Sequence, residues 1–190
     1  MLGLGTSINK SSSSESAFIA GRSSSFTGLL DESYGGSASA AYSVRRLSSS
    51  YSGKALQIRR VSDNVEVDVS FDNNNEISLD SAVTNVTEET TGSSTSIITG
   101  AVNLGEFVAN ASYTDADSLG STDSAKVQCW YDQSGSSNDA TQNTAGSQPT
   151  IVSSGALETE NGKPIIRNNG SNTMALPFND QAYKLYSVFN

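Results

Sequence analysis

The chain has 190 residues, no histidine and a formal net charge of −9. That combination excludes histidine-dependent catalytic triads and histidine zinc sites, and it disfavours a surface that tracks nucleic-acid phosphates. Only 35% of residues are apolar, enough for one core, and the hydroxyl- and glycine-rich remainder suits short strands joined by many turns, so an all-β class is expected.

Residues 1–36 mix serine runs at 11–14 and 23–25 with isolated apolar groups. Phe18, Ile19, Phe26, Leu29 and Leu30 are too few to build a core and too hydrophobic for a plain solvated linker. They are expected to dock this arm on the domain or on a partner. The first ten residues lack the basic stretch and apolar core of a secretory leader. No run approaches the roughly 18 apolar residues of a membrane span, so none is expected.

Residues 37–190 are expected to form the folded domain. Across 37–51, Ala41, Val44, Leu47 and Tyr51 recur at helical spacing and Gly53 supplies a stop, which predicts the one short helix. Leu56 and Ile58 then alternate with Gln57 and Arg59, Ser62-Asp63-Asn64 makes a turn, and Val65, Val67 and Val69 alternate with Glu66 and Asp68. This is the pattern of a β-hairpin with one apolar and one charged face. Arg59 and Arg60 are expected opposite Glu66 and Asp68 as solvated cross-strand ion pairs.

Residues 72–75 read as a loop, 79–86 leave strand and helix open, and 88–100 read as an exposed excursion. Asp115, Asp117 and Asp123 fall in a further polar loop. A strand is predicted over 125–131, with Cys129, the one cysteine, as a buried thiol. A turn-rich loop from Trp130 leads to a short strand at 148–152, then to an Asn161-Gly162 turn and another strand. Final strands are predicted at 174–178 and 183–189, where the pattern is unfinished.

Two sets of residues carry a resemblance to a known family. Residues 41–53 and 56–63, from Ala41-Tyr42-Ser43-Val44 to Ser62-Asp63, resemble the first part of the catalytic domain of α-L-arabinofuranosidase B-type glycoside hydrolases. Trp130-Tyr131-Asp132-Gln133-Ser134-Gly135, with Asn138, Thr141 and Gln142, is similar to a second block, and Asn161-Gly162-Lys163-Pro164 to a third. The last two blocks also resemble the opening of laminin-G and concanavalin-type modules. The resemblance implies a concanavalin-like β-sandwich, the N-terminal portion of a jelly roll, preceded by a short helix and an extended arm. In that family both catalytic carboxylates lie downstream of the matched blocks, the nucleophile beside a Cys-Cys pair. This chain carries no such pair, so no catalytic residue carries over and a module without catalysis is implied.

A glycan site on such a sandwich would use Trp130, Tyr131 and Tyr113 as stacking faces, with Asp132 and Asn138 supplying hydrogen bonds. The competing readings make Trp130 a core anchor and Asp132 and Asp139 caps of their own turn, with Glu158 and Glu160 solvated. Asp132, Ser134, Ser136 and Asn138 have the alternating oxygen spacing of a calcium loop, but the closing bidentate glutamate is absent. No cofactor is assigned, with calcium at this loop as the alternative.

The apolar arm and a sugar-binding fold without catalytic carboxylates resemble virion appendage proteins of bacterial viruses: tail fibres, spikes or capsid decorations. This implies a virion protein that docks on other virion proteins through residues 1–36 and faces host-surface glycan. The strands its unfinished sheet lacks are expected either from a longer gene product or from a neighbouring copy, which implies a homo-oligomer. The alternative is the N-terminal half of a secreted, extracellular arabinofuranosidase-like hydrolase.

Overall fold

The computed structural model describes residues 26–32, 37–87, 90–91, 94–95, 101–109 and 123–178. Expectations placed on Phe18, Ile19, Tyr113, Asp115, Asp117 and the strand at 183–189 lie outside the described residues.

Hairpin formation starts the sheet. β1 (Leu56–Arg60) and β2 (Glu66–Val69) pair antiparallel with Leu56 opposite Val69 and Ile58 opposite Val67. Asn64 sits at φ 61° in the connecting turn, a conformation that asparagine tolerates better than most residues. Further strands follow as β3 (Val83–Thr87), the short pair β4 (Thr90–Thr91) and β5 (Ser94–Thr95), β6 (Ala125–Trp130), β7 (Ala140–Thr141), β8 (Thr150–Ser153), β9 (Ala156–Leu157), β10 (Thr159–Glu160) and β11 (Lys163–Pro164). They build a curled antiparallel sheet in the order β3-β2-β1-β6-β8-β9, with β7 also on β6, while β10 pairs only with β11. The described residues are mostly β, consistent with an all-β class. The β1–β6 register shifts between Gln57 and Ile58, and such a bulge bends a strand and steepens its twist.

β6 shows why the strand pattern was readable: Ala125, Val127 and Cys129 are buried, while Lys126, Gln128 and Trp130 are only partly covered. The core gathers Leu56, Ile58, Val67, Val69, Val127 and Ile151 around Phe107. Phe107 belongs to α1 (Leu104–Ala109), the one α-helix among the described residues, which also buries Leu104 and Val108. Its start is capped. Asn103 Oδ1 accepts the Glu106 N–H at 2.9 Å, and Glu106 Oε2 reaches back to the Val102 N–H at 2.8 Å, close to the reciprocal arrangement of a capping box.

The helix expected over 37–51 is not formed. The described residues there are extended or bent, with a β-bridge between Arg45 and Glu76. Their backbone groups bond to distant partners: Arg46 N–H to Asn75 O at 2.7 Å, Ile77 N–H to Val44 O at 2.9 Å, and Leu30 N–H to Leu47 O at 2.7 Å. Tertiary partners have overridden a weak local preference.

The ion pairs expected on a solvated hairpin face also differ. Arg59 does oppose Glu66 in register, but its side chain is 8% exposed and donates to Gln148 Oε1 at 2.8 Å and Asn64 Oδ1 at 2.6 Å. Arg60, 1% exposed, pairs with Asp63 in its own turn, donates to Phe107 O at 2.7 Å and lies over the Phe107 ring at 4.8 Å. Residues 145–148 cover Arg59 and α1 covers Arg60, so neither charge is solvated.

Elsewhere the segment at 79–86 resolves into β3, and the strand expected at 174–178 reduces to a single bridge from Ala175 to Thr141. Asn161 and Gly162, at φ 50° and 73°, join β10 to β11, as a two-residue hairpin turn with both central residues left-handed requires. No helix among the described residues is long and apolar enough to cross a membrane.

Arg60→Ala removes a buried charge and leaves Asp63 and the Phe107 carbonyl short of a donor. It should lower unfolding stability by about 3–5 kcal/mol, read as a shifted urea midpoint by circular dichroism.

Candidate functional site

The loop after β6 turns on one carboxylate. Asp132, 5% exposed, accepts the Ala41 and Ser134 N–H groups on Oδ1, each at 2.8 Å, and the Ser134 hydroxyl and Asn138 N–H on Oδ2 at 2.8 and 3.1 Å. Burial raises its pKa, but these donors outweigh burial and hold it below the usual carboxylate value. Its own N–H is capped by Asp139 Oδ1 at 2.8 Å.

Gln133 completes the attachment. It is 3% exposed, accepts the Leu47 N–H at 2.7 Å, and donates both amide protons to the carbonyls of Ser43 and Arg45 at 3.0 Å. Its backbone N–H bonds to Ala41 O at 2.8 Å. The segment around residues 41–47 is thereby strapped along the loop by side chains rather than by a strand ladder. Nothing in the local sequence marked Gln133 for this task, because every partner lies 86 or more positions away.

Each described residue nominated for glycan contact has an internal role. Trp130 packs against the core and meets Tyr42 with ring centroids 5.8 Å apart, its Nε1 buried without a hydrogen-bond partner. The Tyr131 hydroxyl donates to Asp68 Oδ1 at 2.7 Å. Asn138 donates to Ser39 O at 2.7 Å, and its carbonyl accepts the Tyr42 hydroxyl. Along the calcium-like spacing, Asp132 faces N–H donors, and Ser134 Oγ accepts the Ser136 N–H at 3.2 Å. Among the described residues no group of three His, Cys, Asp or Glu could hold a metal ion. Glu158 and Glu160 flank Arg167 at 2.6 and 3.8 Å on the surface.

A second carboxylate, unmarked by the sequence reading, fastens the end of the arm. Asp31 accepts the Gly28 N–H at 2.7 Å, the Ser49 N–H at 2.8 Å and the Ser48 hydroxyl at 2.8 Å. The Gly28 and Ser49 donors pull its pKa down to about 2. Gly28 is the residue that permits the approach: a Cβ there would lie 2.1 Å from Leu47 O. Arg46 covers the Phe26 ring at 4.5 Å. Of the arm's expected docking residues, Phe26 and Leu30 are thus partly covered by this domain, while Leu29 stays 66% exposed.

Beside this attachment lies a cleft of about 320 Å³. Leu30 and Tyr51 line it, together with Ser48, Ser50, Ser134 and Gly135. Tyr51 is fixed by donating to Lys54 O at 2.7 Å and by meeting Phe71 edge-on at 6.3 Å. No family model, curated protein or solved structure matches the chain.

Replacing Gln133 with Leu leaves the Leu47 N–H and two carbonyls unpaired. It should cost about 2–4 kcal/mol and speed Leu47 amide exchange relative to Ile58, measured by hydrogen-exchange NMR.

Asp31 and Asp132 have folded pKa values below their unfolded ones. Their contribution is therefore present above the unfolded pKa and lost as pH falls through the folded value. Stability should drop from about pH 4 towards pH 2, the value near which Asp31 titrates, and Asp31→Asn should flatten that slope in acid titrations followed by near-UV circular dichroism.

Cys129 is 7% exposed, and burial pushes its thiol up to about 12. It should resist Ellman's reagent at pH 8 in the folded protein and react fully in urea.

Proposed function

We propose that this chain is a non-catalytic jelly-roll module of a virion appendage, a tail fibre, spike or capsid decoration. It docks on other virion proteins through its N-terminal arm and presents its sandwich outward to glycan. The curled antiparallel sheet supports a concanavalin-type reading, and the sheet ends at β3 and β9 suit assembly with further copies of the chain.

One observation carries the non-catalytic half: the carboxylates of the turn-rich loop serve the backbone. A glycosidase keeps one carboxyl neutral near pH 7 as a general acid and sets a second across the scissile bond. Asp132 is instead held ionised among N–H donors, and Asp139 caps the Asp132 N–H. The docking half rests on the arm, whose end at residues 26–32 is fastened to the domain by Asp31 and Arg46.

Deleting residues 1–25 should abolish incorporation into particles while leaving the circular dichroism spectrum of the domain intact. Unchanged incorporation refutes the docking role. Incubation with arabinofuranoside substrates should release no sugar, and release would establish the hydrolase instead.

A further inference from the structure

The proton bookkeeping of the cleft defines what it can hold. Ser48 Oγ donates its only proton to Asp31 Oδ1 at 2.8 Å, so the 2.9 Å contact between Ser48 Oγ and Ser50 Oγ must be donated by Ser50. Ser134 Oγ likewise donates to Asp132 Oδ2 at 2.8 Å. Both carboxylates are ionised at neutral pH and can only accept. Two hydroxyls on the cleft wall, Ser50 and Ser134, therefore have their protons committed inward. Ser134 Oγ also accepts the Ser136 N–H at 3.2 Å and retains one lone pair, while Ser50 retains both.

The remaining groups narrow the class further. Both amide protons of Gln133 are spent on backbone carbonyls, and its Oε1 accepts the Leu47 N–H. Gly135 is exposed, and among the described residues its N–H has no partner and nothing lies within 4 Å of where a Cβ would stand. Leu30 and the Tyr51 ring supply apolar surface, and none of the described residues lining the cleft is charged.

We propose that this cleft is a binding site for a neutral polyhydroxylated ligand, a single sugar ring, whose hydroxyls donate to Ser50 and Ser134 while its C–H face lies against Tyr51 and Leu30. The site rests on the reading of a glycan-presenting module, but it lies apart from the aromatic and polar side chains that the sequence nominated. One wall comes from residues 26–32, so the Asp31 attachment also completes the site. Among the described lining residues there is no cation to pair with a phosphate, so the groups present suit a neutral ligand better than an anion.

The test is a ¹⁵N NMR titration of the full chain with methyl glycosides of neutral pentoses and hexoses, and with glucosamine beside N-acetylglucosamine. Amide shifts should concentrate at Leu30, Ser50, Tyr51, Ser134 and Gly135. Ser50→Ala, an exposed substitution that leaves the fold intact, should weaken binding by about five- to tenfold. Leu30→Arg should abolish it, its fold checked by the unperturbed amides of β1 and β6. Shifts that ignore both variants, or that fall elsewhere on the sandwich, overturn the cleft and leave the glycan-presenting module standing. A preference for glucosamine overturns the neutral class. No response to any sugar removes both the cleft and glycan presentation, while the docking role of the arm is judged separately by particle incorporation.

Discussion

A buried carboxylate and a buried amide, adjacent in sequence, hold together two parts of the chain that share little ladder of their own. Asp132 and Gln133 between them bond to backbone groups of Ala41, Ser43, Arg45 and Leu47. Each neutral bond of this kind is worth about 1 kcal/mol net, and one to a charged group about 1.5–3. Losing a partner costs more, because a buried N–H or carbonyl is then left bare. The same attachment carries the rest of the local structure: Asn138 fixes Ser39, Tyr42 reaches back to Asn138, and Leu47 becomes the acceptor on which Leu30 and the end of the arm are seated.

That dependence explains which parts of the fold were legible. The β1–β2 hairpin, β6 and the Asn161-Gly162 turn are specified by residues within a few positions of one another, through alternation and left-handed turn chemistry, and sequence reasoning places them well. The segment at 37–51 carries helical spacing but is rich in serine, a modest helix former. Its true partners lie in the Asp132 loop and around Asn75, beyond any local window. The helix that does form has only six residues, too short to show a period, although Asn103 and Glu106 stood at capping distance. The charge of Arg59 and Arg60 reads as solvated from sequence because charged side chains usually are. Only the packed fold reveals α1 over one and residues 145–148 near the other.

At the candidate site the difficulty is one of chemical ambiguity. Asp, Asn, Gln and Ser in a tight loop suit a ligand and suit a turn equally, since both ask for short polar side chains that bond to amides and carbonyls. Here the turn has claimed Asp132, Gln133 and Asn138. What faces solvent is the outer layer of the same network, the hydroxyls whose protons point inward.

The position of Trp130 has a practical consequence. It is the sole tryptophan, it sits at the junction of β6 with the Asp132 loop, and its indole nitrogen is shielded without a polar partner. Emission from this indole should therefore be blue-shifted in the intact molecule and move to the red when the loop lifts away from Tyr42. The chain carries a fluorophore at the joint on which its architecture turns, so opening of that joint is visible in a cuvette without any label.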